Sequence, residues 1–453
     1  MLAAMPQPPA AASRDEPVIR ERGDACPGAL RLHAADDGHL ARIRIPGGLL
    51  DGGAARVLAE AARRLGDGHI DLTSRGNVQL RGLGESCGGE LADLLGRAGL
   101  LPAPTHERVR NIVASPLTGL DRSGLPDVSP WVCELDRLLC ASGPAAGLSG
   151  RFLFALDDGR GDVVSLAADV NLAARHDGRA LLWTGDPRDA VLVAAHDAPR
   201  AALLAAEYFL DAVRAAGTRA WRVAELPPGH ALCGTRLTSR LAAAGIRATP
   251  ASTSGPASAP ASAPEPAAAP APGRPPEPGI VPGPGDTAAL SVLAPLGRLT
   301  ADQWTHLAGL TGRIRLTPWR GVVVVGLPGH AAGDALAALA GAGLVTTPDD
   351  PWRSVTACTG RPGCAKSLAD VRADARALVR RTRGTLPVHW SGCERRCGHP
   401  RGTAWVDAVA TGNGYRLSVH GRELPPDPDR PDLSEALAAA RNTPEESADA
   451  VKK

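Results

Sequence analysis

The sequence predicts an α+β protein built by internal duplication, with further α/β layers attached to each copy. Three observations carry that reading. The segment "HIDLTSRGNVQLRGL", starting at His69, resembles "RIRLTPWRGVVVVGL", starting at Arg313, if one inserted residue is allowed. The segments downstream are also alike: "LADLLGRAGLLPAPTHERVRNIVASPLTG" runs parallel to "LAALAGAGLVTTPDDPWRSVTACTGRPG". Between the copies lies "ASTSGPASAPASAPEPAAAPAPGRPPEPGIVPGPG", which has almost nothing to bury and reads as an extended, disordered linker.

The chain therefore divides into a disordered N-terminal tail (1–24), a first repeat (25–250), the linker (251–285), a second repeat (286–424) and a polar C-terminal tail that frays (425–453). Each copy reads as an apolar strand, an Ala/Leu helix, a strand around "DLTSRG" or "RLTPWR", a second Ala/Leu helix and another strand. Later in the first copy, "GRFLFALDDGRGDVVSLAADVNLAA" gives strand, polar turn and strand. The segment "APRAALLAAEYFLDAVRAAG" then has a helical apolar period through Leu203, Leu204, Phe209, Leu210 and Val213. After the last cysteine, residues 404–410 and 415–419 flank "TGNGY", an Asn-Gly hairpin signal.

At 453 residues the chain can bury a substantial core. Lys plus Arg total 50 against 48 Asp plus Glu, and a net charge of +2 creates no field that recruits nucleic acid or a membrane surface. Lysine occurs only at Lys366, Lys452 and Lys453, so abundant arginine is a compositional trait and carries little information by itself. The opening "MLAAMPQPPAAASRDEP" lacks the basic start and apolar run of a secretory leader, and "GVVVVGL" is far too short to cross a bilayer. The expected location is cytoplasmic. Nine cysteines, an odd number in a long chain, fit reduced thiols with a metal or redox task better than a disulfide framework.

Four of those cysteines form a pattern. Cys358 and Cys364 enclose "TGRPG", and Cys393 and Cys397 enclose "ERR". Convergent thiolates suit a structural zinc or an iron-sulfur cluster. Zinc knuckles keep roughly two to four residues between paired cysteines, whereas a 4Fe-4S cubane offers four separated iron corners and tolerates the wider loop. Apolar residues at Leu368, Val371, Ala375, Leu378 and Val379 predict a helix with Cys364 at its N-terminus, where free amides and the positive dipole end favour an anionic cluster. "LPVHW" reads as a strand delivering Cys393 and Cys397. Lys366 stands beside Cys364, and Cys26, Cys87, Cys133, Cys140 and Cys233 are scattered, as inert thiols are. No dinucleotide fingerprint opens a βαβ unit, so reducing equivalents are expected from a partner.

The pattern Cys-x5-Cys, helix, strand, then Ser-Gly-Cys-x3-Cys-Gly-His-Pro resembles the cluster signature of the nitrite and sulfite reductase superfamily. "LTSRGNVQLRGL" resembles its Thr-x-Arg motif and "VRNIVASPLTG" its Arg-Asn strand motif. The likeness covers nearly everything except the linker and both tails. It implies a duplicated nitrite/sulfite reductase-like fold with ferredoxin-like half-domains and α/β cluster-binding domains, and a 4Fe-4S cluster on Cys358, Cys364, Cys393 and Cys397. Within the superfamily, "CPGALRLHAADDGHLARIRIPGG" and "VHWSGCERRCGHP" most resemble the precorrin-3B synthase family, although "ERR" departs from the small and basic residues expected there. That resemblance implies a monooxygenase that hydroxylates and lactonises precorrin-3A with dioxygen in aerobic cobalamin biosynthesis. Electrons would come from an external donor, a ferredoxin, flavoprotein or NAD(P)H-linked protein. The alternative is a siroheme-dependent nitrite or sulfite reductase.

The superfamily's reductases hold a small anion with two arginines and two lysines. By motif Arg75 and Arg110 take the arginine positions. The strand in "LSGRFLFALDDG" matches the lysine strand, with Arg151 on the first lysine and Leu153 on the second. Leucine there removes a cation, which weakens the reductase reading. A precorrin is a tetrapyrrole rimmed with carboxylates, which guanidinium groups bind in bidentate fashion. The tetrapyrrole-binding set is then Arg75, Arg81, Arg110 and Arg151, with Arg320 as a repeat counterpart. A mononuclear non-haem iron is a candidate oxygen-activating centre, with His69, His106, His389 and His399 as candidate ligands.

Overall fold

Residues 24, 26–251, 268–400, 404–419, 421–424 and 432–443 are described in a computed structural model. Residues 1–23 of the expected N-terminal tail, residues 252–267 of the Pro/Ala-rich segment and the last residues fall outside them. Alternation of apolar residues makes two five-stranded antiparallel sheets, and each is completed by a strand from the other copy. The first runs His33–Ala35, Gly38–Ile43, Val78–Leu83, His69–Leu72 and then Arg298–Thr300. The second runs Gly279–Pro282, Thr287–Leu293, Gly321–Pro328, Arg313–Leu316 and then Leu49–Asp51. Leu299 stands opposite Ile70, and Leu50 opposite Ile314.

The exchange is set up by a turn that both copies share. Gly47 (φ 59°) and Gly48 (φ 71°) match Leu296 (φ 56°) and Gly297 (φ 71°) in the left-handed region. At Gly48 a Cβ would come within 2.0 Å of the Leu316 carbonyl oxygen, so only glycine lets the crossing backbone approach so closely. A helix follows each exchanged strand. Asp51 caps Gly52–Leu65 by accepting from the Ala54 amide, and Thr300 with Gln303 forms a capping box on Ala301–Gly309. The buried Trp304 indole donates to the Ala55 carbonyl oxygen at 2.8 Å, across the copies. One core therefore joins both, including Leu58, Ile70, Leu80, Leu299, Leu307 and Ile314.

The two "LT" segments superimpose without the inserted residue that the sequence reading allowed. Each is a turn between two strands rather than a single strand. The Thr73 amide donates to the Asn77 carbonyl and the Thr317 amide to the Gly321 carbonyl, both at 2.9 Å. A positive-φ glycine recurs at Gly82 (φ 69°) and Gly326 (φ 80°). Arg320 (φ 60°) is thus the counterpart of Gly76 (φ 64°), and Trp319 that of Arg75.

Each copy also carries a mixed sheet. In one, Ile112–Ala114, Phe154–Asp157 and Val170–Ala174 are parallel, followed by antiparallel Arg179–Trp183, Val191–Ala194 and Ala248–Pro250. In the other, Val355–Ala357, Val388–Ser391 and Val406–Thr411 are parallel, followed by Gly414–Val419 and Arg422–Glu423. The expected helix over the first mixed sheet is Ala198–Ala215, which buries Leu203 and Phe209.

Three expectations are corrected. The helix after Cys364 is Val371–Leu378, with Asp370 accepting from the Ala373 amide, so Cys364 lies in a preceding turn rather than at a helix N-terminus. Leu368, placed on its apolar stripe, is 48% exposed. The segment assigned to the linker contains strand Gly279–Pro282, because Ile280 and Val281 find partners in Leu290 and Ala289. The segment assigned to a fraying tail contains helix Leu433–Arg441, whose Leu437 and Ala440 are buried. Arg441, also buried, donates from Nε to the Leu386 carbonyl at 2.9 Å. No described helix is long and apolar enough to cross a membrane.

Trp304→Ala is expected to cost about 3–5 kcal/mol, from the cavity left by a buried indole and the loss of its hydrogen bond to Ala55. Urea unfolding followed by circular dichroism checks it, and the half-domains should lose structure in one transition because they share that core.

Candidate functional site

Strand Val388–Ser391 lies parallel to Val355–Ala357, so the loops that follow them leave from the same end. The Cys358 amide donates to the Trp390 carbonyl at 2.9 Å, and the Leu368 amide to the Gly392 carbonyl at 2.8 Å, tying the loops together. The Gly392 amide donates to Cys358 Sγ at 3.2 Å. A Cβ at Gly392 would lie 1.9 Å from Ser367 Oγ, so the crossing requires glycine. Burial pushes the Cys358 thiol up against the pull of the Gly392 and Gly360 amides, and Cys397 and Cys393 add to the rise. Cys393, Cys397 and Cys364 are carried by this same pair of loops. Among the described residues no three His, Cys, Asp or Glu side chains stand close enough to hold a metal ion, so the thiols are not drawn into a cage. The donor set nevertheless fits a thiolate-bound cluster: soft ligands on two tied loops, with an amide aimed at one sulfur.

The first copy repeats this backbone with other chemistry. Ser115 follows Ile112–Ala114 as Cys358 follows Val355–Ala357. The Asp158 amide donates to Ser115 Oγ at 3.2 Å, the counterpart of the Gly392 to Cys358 contact. Ser115 Oγ then donates to Asp162 Oδ1 at 2.6 Å. Asp162 is 1% exposed, and its Oδ2 is buried without a partner. Burial, against the Ser115 hydrogen bond and with the charge of Asp157, pushes its carboxyl up to about 7. A hydroxyl and a carboxyl thus close the position that thiols occupy in the second copy.

The four expected arginines do not form one set. Arg75 donates from Nη1 to the Gly150 carbonyl at 3.0 Å and from Nη2 to the Arg151 carbonyl at 2.9 Å, which brings Arg75 and Arg151 together. The exposed Arg151 guanidinium lies 4.7 Å from the Trp221 ring centroid. Arg110 departs from expectation: Nε and Nη2 bind Asp136 at 2.7 and 2.6 Å, and Nη1 donates to the Leu100 carbonyl at 3.1 Å. It is a buried structural ion pair, from which a substrate carboxylate would have to displace Asp136. Arg81 also departs, because it binds Asp37 and points at the cysteine loop through the Gly363 carbonyl.

Two arginines that sequence reasoning missed stand near Arg75. Arg42 and Arg44 alternate along "ARIRI" and so share a strand face. Arg42 Nη2 donates to Gln79 at 3.0 Å while its Nε is buried without a partner. Arg44, 3% exposed, donates from Nε to the Arg108 carbonyl at 3.2 Å, and its Nη1 is buried without a partner. Burial, then Arg42, pushes Arg44 down to about 9; burial, then Arg222, pushes Arg75 down to about 10. The signal was the "RIR" alternation, inside a stretch already singled out. Leu153, 3% exposed, sits in an apolar cluster with Val113, Ala155 and Trp319.

Arg320 reaches the other side of the cysteine loops. A Cβ on Gly398 would lie 3.6 Å from its Nη2, and no carboxylate pairs with it among the described residues. Burial, then Arg320, pushes the His389 imidazole down to about 4. The four histidines do not converge. His106 bonds Thr105 and the Ser142 carbonyl, and His389 bonds Thr356 and the Cys397 carbonyl. His69 bonds the Asp67 carbonyl, and His399 stacks on Trp405. No described arrangement of them holds an iron.

Comparison with known proteins agrees with this architecture. The family described as nitrite/sulfite reductase ferredoxin-like half domain matches residues 33–96 and again 282–342. A precorrin-3B synthase from Sinorhizobium sp. is 28% identical over 418 residues, covering 89% of this chain and 84% of that protein. A ferredoxin–nitrite reductase from Synechococcus elongatus is 28% identical over 396 residues, covering 80% and 74% respectively. The solved structure of the Mycobacterium tuberculosis NirA protein shares the fold, with a TM-score of 0.64 at 20% identity over 86% of this chain and 77% of that one.

The raised Asp162 carboxyl makes a pH prediction. Its folded value, about 7, exceeds the ordinary 3.8, so the folded state holds a proton that the unfolded chain releases. Stability falls as pH rises from about 4 to about 7 and the loss is complete above that. Asp162→Asn should therefore gain stability relative to wild type as pH is raised from about 5 to about 8, measured by urea unfolding at each pH.

Proposed function

We propose that this chain, whose two half-domains match the nitrite/sulfite reductase ferredoxin-like half domain, acts as a precorrin-3B synthase. The reaction is the oxygen-dependent hydroxylation and lactonisation of precorrin-3A. One atom of dioxygen enters the ring carbon framework, and a side-chain carboxylate closes the lactone. The other atom leaves as water after taking two protons and two electrons, the electrons supplied by an external ferredoxin or flavoprotein. A 4Fe-4S cluster held by Cys358, Cys364, Cys393 and Cys397 would supply single-electron transfer when bound.

The chain's own residues do the binding and shaping. Arg42, Arg44 and Arg75 are desolvated cations, and Arg42 and Arg44 each have an N–H without a partner. A buried unpaired donor is costly, and a carboxylate on a tetrapyrrole rim offsets that cost with a charge-assisted bond. Arg151, held over Trp221, offers a further cation at the surface. The observation that carries the choice of reaction is Leu153. At the position where the reductase resemblance asks for a second lysine, it gives no charge and no proton to a small oxyanion, and it joins Trp319 in an apolar wall. The ferredoxin–nitrite reductase relative supports the alternative, a siroheme-dependent reductase.

The deciding experiment is incubation of the reconstituted protein with precorrin-3A under labelled dioxygen. The expected product is heavier by one labelled oxygen, and its absence defeats the reading. A strong haem-type Soret band in the anaerobically purified protein would favour the siroheme alternative. Arg44→Gln should lower kcat/KM about tenfold or more, the loss of one charge-assisted bond of about 1.5–3 kcal/mol, without lowering stability. Arg110→Gln should instead cost about 3–5 kcal/mol of stability, because it strands Asp136.

A further inference from the structure

We infer that Asp36, Asp37 and Arg81 form a clamp by which the N-terminal half-domain holds the backbone on both sides of Cys364, making them positioning residues for that thiol. The positioning role rests on reading Cys364 as a cluster ligand. Asp36 and Asp37 are the two central residues of the hairpin between His33–Ala35 and Gly38–Ile43, where Ala35 pairs with Gly38 (φ 108°). The turn presents both carboxylates to the loop "GRPGCAK". Asp36 Oδ2 accepts the Ala365 amide at 2.5 Å. Arg81, 5% exposed, binds Asp37 through Nε and Nη2, both at 2.8 Å, and its Nη2 also donates to the Gly363 carbonyl at 3.0 Å. The residue before Cys364 is thus held by its carbonyl and the residue after it by its amide.

The loop backbone is packed hard against these groups. A Cβ on Gly363 would come within 2.6 Å of Asp37 Oδ2 and 3.0 Å of Arg81 Nη2. The second half-domain docks on the corresponding loop of the first copy by different means. Val325, the counterpart of Arg81, packs with Leu117 and Leu120, while Arg315 Nη1 donates to the Pro116 and Thr118 carbonyls at 3.0 and 2.6 Å. Both loops are docked, but the thiol-bearing one is held by a buried ion pair and by a carboxylate on a backbone amide. A Gly- and Pro-containing loop gains order from such contacts before any ligand arrives, which lowers the entropy lost when its thiol is fixed.

The chain supplies its own probe. Lysine occurs only at Lys366, Lys452 and Lys453, and Lys366 is exposed just beyond the clamp, so a lysine-specific protease has one interior site. With full-length protein purified without iron, cleavage after Lys366 should be at least tenfold faster in Asp36→Ala and in Arg81→Gln than in wild type. Asp36 is exposed, so Asp36→Ala should keep the wild-type thermal unfolding curve. Asp302→Ala, which removes a surface pair with Arg63 on the other side of the half-domain core, should be cut at the wild-type rate. Equal cleavage of wild type, Asp36→Ala and Arg81→Gln would overturn the clamp. Iron and acid-labile sulfide are measured alongside after reconstitution. Wild type that takes up neither defeats the cluster reading, and the cleavage rates alone then decide the clamp.

Discussion

Each half-domain sheet ends on a strand lent by the other, with Leu49–Asp51 completing one and Arg298–Thr300 the other. An isolated copy would leave an open edge of unpaired backbone and an apolar face, so neither half-domain is satisfied alone. The left-handed turns at Gly47–Gly48 and Leu296–Gly297 force the chain outward at the same point in both copies, and the paired helices with Trp304 seal the exchange. The remaining structure hangs on this joint, because it sets where the two mixed sheets present their loops.

The joint also explains why the candidate site is composite. The cysteine loops belong to the second mixed sheet, whereas Arg42, Arg44 and Arg75 belong to the first half-domain and Arg151 to the first mixed sheet. Arg81 lies on the strand that follows the Arg75 turn and reaches the Cys364 loop through Gly363. Two surfaces far apart in sequence are therefore linked by one strand, and the separation between them is set by sheet geometry rather than by flexible loops.

Duplication left the backbone more alike than the chemistry. Ser115 and Cys358 receive the same amide contact, yet one closes on the buried Asp162 carboxyl and the other stands among thiols. Gly76 and Arg320 share the same left-handed conformation, comfortable for glycine and uncommon for arginine, and only the second copy places a guanidinium there beside the cysteine loop. Divergence of this kind needs no change of fold, since a side chain can be exchanged wherever the surrounding backbone already satisfies itself.

The duplication, the helix over the first mixed sheet, the hairpin in "TGNGY" (its turn being Gly412–Asn413 rather than Asn-Gly) and the pairing of two cysteine loops were all legible in the sequence, because periodicity and turn chemistry are local. The tail helix was hidden by polar neighbours, since what orders it is Arg441 bonding carbonyls far away in sequence, Leu386 among them. The same limit governed the arginines. Motif position singled out Arg75 and Arg110, and resemblance added Arg81 and Arg151, but a guanidinium is free to bind a ligand only if no carboxylate has already taken it. Asp136 takes Arg110 and Asp37 takes Arg81, while Arg42 and Arg44 keep unpartnered N–H groups. Sequence alone determined which chemical groups are present and in what local frame; only the tertiary structure decided which charges meet, because pairing is a matter of distance in space.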